Sequence, residues 1–146
     1  MRIAFRVPRR RAEEAGFTLM EMLIVLVIMG MIAAVAIPQV MKLLGSAKHK
    51  AAKIQIETLI HSLQIYEIDN GEFPTTEQGL AALWSAPANA SDWNGPYVRR
   101  EKQIIDPWGH KMVYAAPGQK RRYDLKSLGA DNQEGGSGDD ADVVAD

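Results

Sequence analysis

The chain has 146 residues, which allows one modest domain and a membrane anchor but not two full hydrophobic cores. Its 17 Lys and Arg residues almost balance 18 Asp and Glu residues, and the formal net charge of -1 argues against general nucleic-acid binding, which usually requires a basic excess. No nucleic-acid partner is therefore expected. The chain contains no cysteine, so disulfides are excluded as reinforcement of a small domain and a metal ion is the next device to consider.

The charges divide the chain into three chemically different zones. Residues 1–16 carry five arginines against two glutamates, and residues 22–38 carry no charged or hydrogen-bonding side chain. Residues 129–146 carry acidic side chains but no lysine or arginine. Each zone therefore needs its own explanation.

The apolar run of residues 22–38 predicts a single membrane-spanning helix. Its 17 residues span roughly 26 Å as a helix, and apolar residues on both sides extend this toward the roughly 30 Å of a bilayer. The upstream arginines favour a cytoplasmic N-terminus. Four lysines just beyond the other end of the run oppose that bias but are more spread out: Lys42, Lys48, Lys50 and Lys53.

A secretory signal peptide or a plain signal anchor is the simpler interpretation of this segment. Small residues at the end of the run offer weak cleavage sites, namely Ala33, Ala34 and Ala36. Against this, the run is long for a signal core and Glu21 stands at its start. An unpaired charge costs about 2.5–3.5 kcal/mol in mid-membrane and less near the surface, so Glu21 needs a partner.

The segment Gly16-Phe17-Thr18-Leu19-Met20-Glu21, followed by the apolar run and Pro38, resembles the processing motif of type IV pilins and pseudopilins. The resemblance implies that a prepilin peptidase cuts between Gly16 and Phe17 on the cytoplasmic side and methylates the new amine of Phe17. It also implies that Glu21 meets the N-terminal amine of a neighbouring subunit. A cation at that distance offsets the desolvation of the carboxylate.

The hydrophobic helix continues into the soluble part of the chain. The helical spacing of apolar residues predicts a buried stripe that comprises Ile56, Leu59, Ile60, Leu63 and Tyr66. The pair Asn70-Gly71 is typical of a helix end. Gly30 and Pro38 are expected to interrupt the helix. Membrane helices often tolerate both residues, and Pro38 is also compatible with a locally extensible segment, because it removes a backbone hydrogen bond.

The residues after the helix predict a small antiparallel sheet. Thr75 and Gln78 suit a capping box before a short helix that ends ahead of Pro87. Residues 103–105 and 111–115 read as strands on either side of a turn at residues 106–109, and a third strand begins at residue 123 after a turn at Pro117-Gly118. The predicted fold class is α+β, with a long N-terminal hydrophobic and amphipathic helix as the spine of a small C-terminal antiparallel sheet.

Three later motifs, at residues 73–80, 106–109 and 127–131, are similar to the major pseudopilins of type II secretion systems. The similarity runs over residues 16–142 and implies a cleaved leader at 1–16, a transmembrane and assembly helix at 17–44 and a periplasmic domain at 45–146. It implies a subunit of the inner membrane and periplasm that polymerises into a pseudopilus and helps to export folded proteins. The implied partners are copies of the chain itself, prepilin peptidase, minor pseudopilins and the inner-membrane secretion platform.

The acidic tail combines carboxylates with glycines, a composition that suits Ca²⁺. It is not an EF-hand, because the third and fifth loop positions counted from Asp131 are Gln133 and Gly135. The family resemblance implies Ca²⁺ within a loop at 128–142, with a ligand set drawn from the Leu128 carbonyl, Asp131, Asp139, Asp140 and, as a further candidate, Asp142. A solvated acidic end is the alternative.

No catalytic residue is predicted. The three histidines have no recognised metal spacing, and Ser127 lacks the glycine-flanked elbow of serine hydrolases. Two other functions stay open at this point. One is a type IV pilin of a surface fibre for adhesion or DNA uptake, and the other is a membrane-tethered calcium-binding enzyme.

Overall fold

The computed structural model describes residues 16–88, 90 and 92–144. The long helix α1 spans Leu19–Asn70, and the strands are β1 at Val113–Ala115, β2 at Asp124–Ser127 and β3 at Val143–Val144. Short 3-10 helices lie at Gly79–Leu83, Glu101–Ile104 and Gly138–Asp140. The strands form an antiparallel sheet in the order β1-β2-β3, which confirms the predicted α+β class.

Helix α1 runs without a break through Gly30 and Pro38. It ends where the sequence predicts, because Gly71 has a positive φ of 82° and its amide donates to the Glu67 carbonyl at 2.8 Å. Glycine reaches this left-handed conformation without a Cβ clash, which makes it the usual residue just past a helix end. The Asn70 side chain adds a bond to the Tyr66 carbonyl at 2.9 Å.

The described chain divides between Gln39 and Val40 into two compact units. In the first unit, the large apolar side chains of α1 are exposed: the exposed fraction is 91% for Leu19 and 70% for Leu26. An 18-residue window of the helix has a mean hydropathy of 2.6 and none of it is buried, so the helix is long and apolar enough to cross a membrane. Nothing in the described part of this unit covers these side chains.

The second unit has a core built on one stripe of α1. The predicted residues Ile56, Leu59 and Leu63 are fully buried and Tyr66 is 3% exposed, at alternating three- and four-residue spacing. Leu83, Val98, Tyr114 and Leu125 pack over them from the segments that follow. Each fully buried aliphatic side chain contributes about 1.5–3 kcal/mol, so this stripe is the main attachment of the sheet and loops to the helix.

The capping box predicted at Thr75 and Gln78 is present. The Thr75 amide donates to the Gln78 side-chain oxygen at 2.8 Å, and the Gln78 amide donates to the Thr75 hydroxyl at 3.3 Å. The helical segment that follows is the 3-10 helix Gly79–Leu83 rather than an α-helix. It ends well before Pro87, as predicted.

The strand predicted at residues 103–105 is wrong, because Glu101–Ile104 forms a 3-10 helix. The Gln55 side chain on α1 donates to the carbonyls of Gln103 at 2.7 Å and Ile105 at 2.5 Å, occupying acceptors that a strand would use in its ladder. Only an isolated bridge between Ile105 and Lys111 survives of the predicted pairing.

The predicted turn at residues 106–109 and the two later predicted strands are present in the structure. Gly109 donates to the Asp106 carbonyl at 3.1 Å and closes the predicted turn. The strand predicted at 111–115 is shortened to β1, and the strand predicted to begin at 123 is β2. The two-residue strand β3 is a third member that the sequence did not predict, pairing Val144 with Lys126 and Val143 with Ser127.

The buried phenol of Tyr114 makes the stability of this unit sensitive to alkaline pH. Burial raises the pKa of Tyr114 above its usual value, with smaller contributions from Tyr123 and Tyr66, and the hydroxyl donates to the Pro74 carbonyl at 2.8 Å. A raised folded-state pKa means that the stabilisation is complete below the unfolded pKa of about 10 and is lost as the pH rises through the folded value.

We therefore expect the thermal midpoint of the full-length chain in detergent micelles to fall as the pH is raised above about 10. Tyr114→Phe should lower the midpoint at neutral pH, since it removes a hydrogen bond worth about 1 kcal/mol, and should flatten the alkaline decline. An identical decline in both proteins would mean that Tyr114 is not its source.

Candidate functional site

The predicted cleavage position lies just before helix α1. Gly16 and Phe17 are exposed and outside the helix, with the Phe17 side chain 79% accessible. A Cβ added at Gly16 would meet no atom within 4 Å, so the fold of the described chain does not require glycine there. A requirement for glycine would have to come from an enzyme that reads this position. Residues 1–15 of the predicted leader lie outside the described residues.

Glu21 forms a capping box with Thr18 at the start of α1. The Glu21 carboxylate accepts from the Thr18 amide at 2.9 Å and from the Thr18 hydroxyl at 3.1 Å, while the Glu21 amide donates to that hydroxyl at 3.2 Å. This capping role of Glu21 was not predicted from the sequence, although Thr-x-x-Glu ahead of an apolar run is a recognised signal for it. Cleavage before Phe17 would place a free amine one residue from the Thr18 amide that this carboxylate already binds.

The C-terminal acidic loop is attached to the sheet by Lys126. The ammonium group of Lys126 lies 2.8 Å from Glu134 Oε1 and 3.6 Å from Asp142 Oδ2. The hydrogen bond with Glu134 raises the pKa of Lys126 and lowers that of Glu134. Asp142 also accepts from the Gly135 amide at 3.2 Å, so this candidate calcium ligand has an internal cation and a backbone donor as partners.

The other predicted calcium ligands are distributed along the exposed loop. Asp131 accepts from the Gln133 amide at 3.0 Å, and Asp139 and Asp140 lie in the last 3-10 helix. None of these three forms an ion pair with another described residue. Leu128, whose carbonyl is the predicted backbone ligand, immediately follows β2.

The donor types of this loop suit Ca²⁺, which binds carboxylate and carbonyl oxygens. Within the described ranges, however, no three His, Asp or Glu side chains are gathered closely enough to hold a metal ion. A calcium ion held here would therefore need backbone carbonyls beside the carboxylates. Close backbone approaches are built into the loop, because a Cβ at Gly136, where φ is 77°, would overlap the Asp140 carbonyl.

A buried carboxylate fixes the start of the loop. Asp106 is 5% exposed and accepts from the backbone amides of Trp108 at 3.0 Å and His110 at 2.9 Å. Its other oxygen accepts from the Ser127 hydroxyl at 2.5 Å, and Ser127 in turn accepts from the Gly129 amide at 3.3 Å. Three donors compensate the burial of this carboxylate and connect the 106–109 turn to the beginning of the loop.

Ser127, Asp106 and His110 resemble a hydrolytic triad in composition but not in arrangement. The Ser127 hydroxyl is bonded to Asp106 rather than to the histidine, and Ser127 is fully buried. The His110 Nδ1 atom lies 3.2 Å from the Gly129 carbonyl oxygen. A hydroxyl held in this way is not presented to a substrate as a nucleophile, because attack requires a base at the hydroxyl and access to it.

Comparison with known proteins connects both parts of the chain to protein secretion. Residues 11–37 match the family model of the prokaryotic N-terminal methylation motif, and residues 39–146 match that of type II secretion system protein G. A type II secretion system core protein G from Pseudomonas aeruginosa is 44% identical over 138 residues, covering 92% of this chain and 96% of the relative. A protein with the same description from Vibrio cholerae is 38% identical, with 92% and 93% covered.

A solved structure agrees with the sequence relatives. The crystal structure of the major pseudopilin from the type 2 secretion system of enterohaemorrhagic Escherichia coli matches with a TM-score of 0.54 and 33% identity. The match covers 66% of this chain and 86% of that one. The chain carries an N-terminal methylation motif, and a small domain is built on the second half of helix α1. It matches these proteins over most of its length and therefore belongs to the type II secretion system protein G family, the major pseudopilins.

Proposed function

We propose that this chain is the repeating structural subunit of a type II secretion pseudopilus and acts without catalytic chemistry of its own. The observation that carries the proposal is the contrast along α1: one face of its second half is buried in the chain's own core, while its first half exposes large apolar side chains. A polymer formed through that exposed half buries it after the subunit leaves the bilayer. The family match to type II secretion system protein G favours a pseudopilus over a surface fibre.

The proposed location follows from the same helix. The subunit is anchored by a single pass in the inner membrane, with the N-terminus cytoplasmic before processing and the domain from residue 45 onward in the periplasm. The arginines of the leader support this orientation. Prepilin peptidase, minor pseudopilins, the inner-membrane secretion platform and further copies of the chain are the proposed partners.

The N-terminal motif supports a two-step role for the first residues of the mature chain. Cleavage after Gly16 creates the Phe17 amine, and methylation keeps that amine cationic. The amine then neutralises a Glu21 carboxylate on a neighbouring subunit, which offsets the cost of keeping a charge in apolar surroundings. The capping box seen in the uncleaved chain keeps Glu21 hydrogen-bonded before this partner is available.

We also propose that the loop at 128–142 binds Ca²⁺ through the Leu128 carbonyl, Asp131, Asp139 and Asp140. Two observations support this assignment. The carboxylates are exposed and form no ion pair with another described residue, and the first residues of the loop are held by the buried Asp106 and Ser127. Asp142 is a weaker candidate because Lys126 already serves as its cation. Bound Ca²⁺ would supply charge neutralisation to this loop, while the chain's own residues set its starting geometry.

Processing predicts a defined mass for the mature chain. Mass spectrometry of the membrane form, expressed with a prepilin peptidase, should show a chain that begins at N-methylated Phe17. Replacing Gly16 with a bulky residue such as Leu should leave the leader attached, although the structure has room for that side chain. Cleavage near Ala36 would instead indicate a signal peptide, and an intact leader in the wild type would contradict the proposal.

The assembly role of Glu21 can be separated from its capping role. Glu21→Gln retains a side chain able to complete the capping box but removes the charge, whereas Thr18→Val removes the box and keeps the charge. In cells that lack their own protein G, the wild type and Thr18→Val should form filaments and export a folded secretion substrate. Glu21→Gln should reach the membrane but assemble poorly.

The two roles of Glu21 are distinguished by how much filament formation and export each variant loses. Equal losses in Glu21→Gln and Thr18→Val would assign the role of Glu21 to helix capping rather than to a charge pair. Normal filament yield with Glu21→Gln would contradict the proposed pairing. Failure of the wild type to restore filaments and export would contradict the proposed function itself.

Calcium binding predicts stabilisation of the full-length chain in detergent micelles. The free energy of unfolding should rise by roughly 2.7 kcal/mol at a hundredfold excess of Ca²⁺ over Kd, while Mg²⁺ should substitute poorly because it requires a compact octahedral shell. Asp131→Asn should abolish the Ca²⁺ response measured by thermal melting against EDTA. Asp146→Asn, at a position outside the described residues, should preserve it. Equal midpoints in EDTA, Mg²⁺ and Ca²⁺ would leave the loop as a solvated acidic end.

A further inference from the structure

The acidic loop approaches helix α1 closely at Gly45. Gly45 is buried although it lies on a helix whose preceding residues are exposed, and the atoms next to it belong to the Asp139 carboxylate. A Cβ added at Gly45 would overlap both carboxylate oxygens and the carbon between them. The close approach of Asp139 therefore requires the absence of a side chain at this position of the helix.

The other helical glycine provides an internal comparison. A Cβ added at Gly30 would meet no atom within 4 Å. Glycine is a poorer helix former than alanine, because it loses more backbone freedom on folding. Gly45 occupies a similar helical position at the same intrinsic cost, but there the missing side chain makes room for a contact.

The backbone at Asp139 is held from the loop side as well. Its carbonyl oxygen accepts from the Ala130 amide at 3.0 Å, which closes the loop on itself. The backbone of the next residue, Asp140, lies so close to Gly129 and Gly136 that a Cβ at either glycine would collide with it. One helical turn beyond Gly45, the His49 ring packs edge-on against Trp108 at a centroid distance of 4.9 Å. This face of α1 is thus covered by segments far away in sequence.

We propose that Asp139 and Gly45 form a latch that couples the order of the loop at 128–142 to the stem of α1. Gly45 is the first residue after the proposed membrane segment at 17–44, so the latch joins the C-terminal loop to the helix where the chain leaves that segment. Closing it requires only the missing Cβ at Gly45 and the carboxylate of Asp139. The latch does not depend on calcium, although Asp139 is also a proposed calcium ligand.

The test is a double-mutant cycle on the full-length chain in detergent micelles with EDTA. Gly45→Ala should lower the thermal midpoint and speed amide hydrogen exchange across residues 129–142, because the new methyl group displaces Asp139. The control Gly30→Ala should cause neither effect. In the Asp139→Ala background, Gly45→Ala should instead raise the midpoint, since only the better helix propensity of alanine remains.

A third background separates volume from charge. Asp139→Asn keeps the shape of the side chain, so Gly45→Ala should still lower the midpoint in that protein. A midpoint raised by Gly45→Ala in the wild type, as expected for an unoccupied helix surface, would overturn the latch. So would a loss of the same size in the wild-type and Asp139→Ala backgrounds.

Repeating the cycle in Ca²⁺ keeps the latch and the calcium site distinguishable. If Gly45→Ala lowers the midpoint of the wild type in EDTA but raises that of Asp139→Ala, the latch is supported even when Ca²⁺ shifts no midpoint. In that case only the calcium proposal fails. A Ca²⁺ response without the sign reversal supports the metal site and overturns the latch. Hydrogen exchange of Gly45→Ala against Gly30→Ala gives the same decision without any change at Asp139.

Discussion

Ile56, Leu59 and Leu63 are completely buried on one face of α1. Residues of all three strands and of the 3-10 helices Gly79–Leu83 and Glu101–Ile104 belong to the same hydrophobic cluster. A sheet with strands of three, four and two residues does not bury enough apolar surface to be stable alone. The helix supplies the missing surface. The contacts of the turns with one another, including the clamp formed by Asp106 and Ser127, are therefore secondary to this one packing interface.

The same helix is apolar on all sides over residues 22–38 and amphipathic after residue 45. A segment that is hydrophobic all round must be buried by lipid or by other chains, because no face of it is suited to water. In the proposed function, one continuous element serves in turn as a membrane anchor and as the shared core of a polymer. Helix α1 passes through Pro38 without a break.

The C-terminal loop is held to the rest of the unit by three kinds of contact. Lys126 supplies charge, the Asp106–Ser127 pair supplies buried hydrogen bonds, and Gly45 supplies room for Asp139. Surface ion pairs such as the one between Lys126 and Glu134 contribute about 0–1 kcal/mol, so they do not close an acidic loop firmly by themselves. A bound cation would act where these contacts are weakest, among the exposed carboxylates.

Local sequence patterns are sufficient to predict the apolar helix, the buried stripe of α1, its end at Asn70-Gly71, the capping box at Thr75 and the turn at Asp106. Each of these depends on periodicity or turn chemistry within a few residues. Cleavage, the pairing of Glu21 and calcium binding stay predictions from the same motifs. Three features became visible only in the folded chain: the 3-10 helix at residues 101–104, the strand β3, and the hydrogen bond from Ser127 to Asp106. These features depend on partners distant in sequence, such as Gln55, which lies 48 residues from the carbonyl it binds at Gln103, and no local pattern records such a contact.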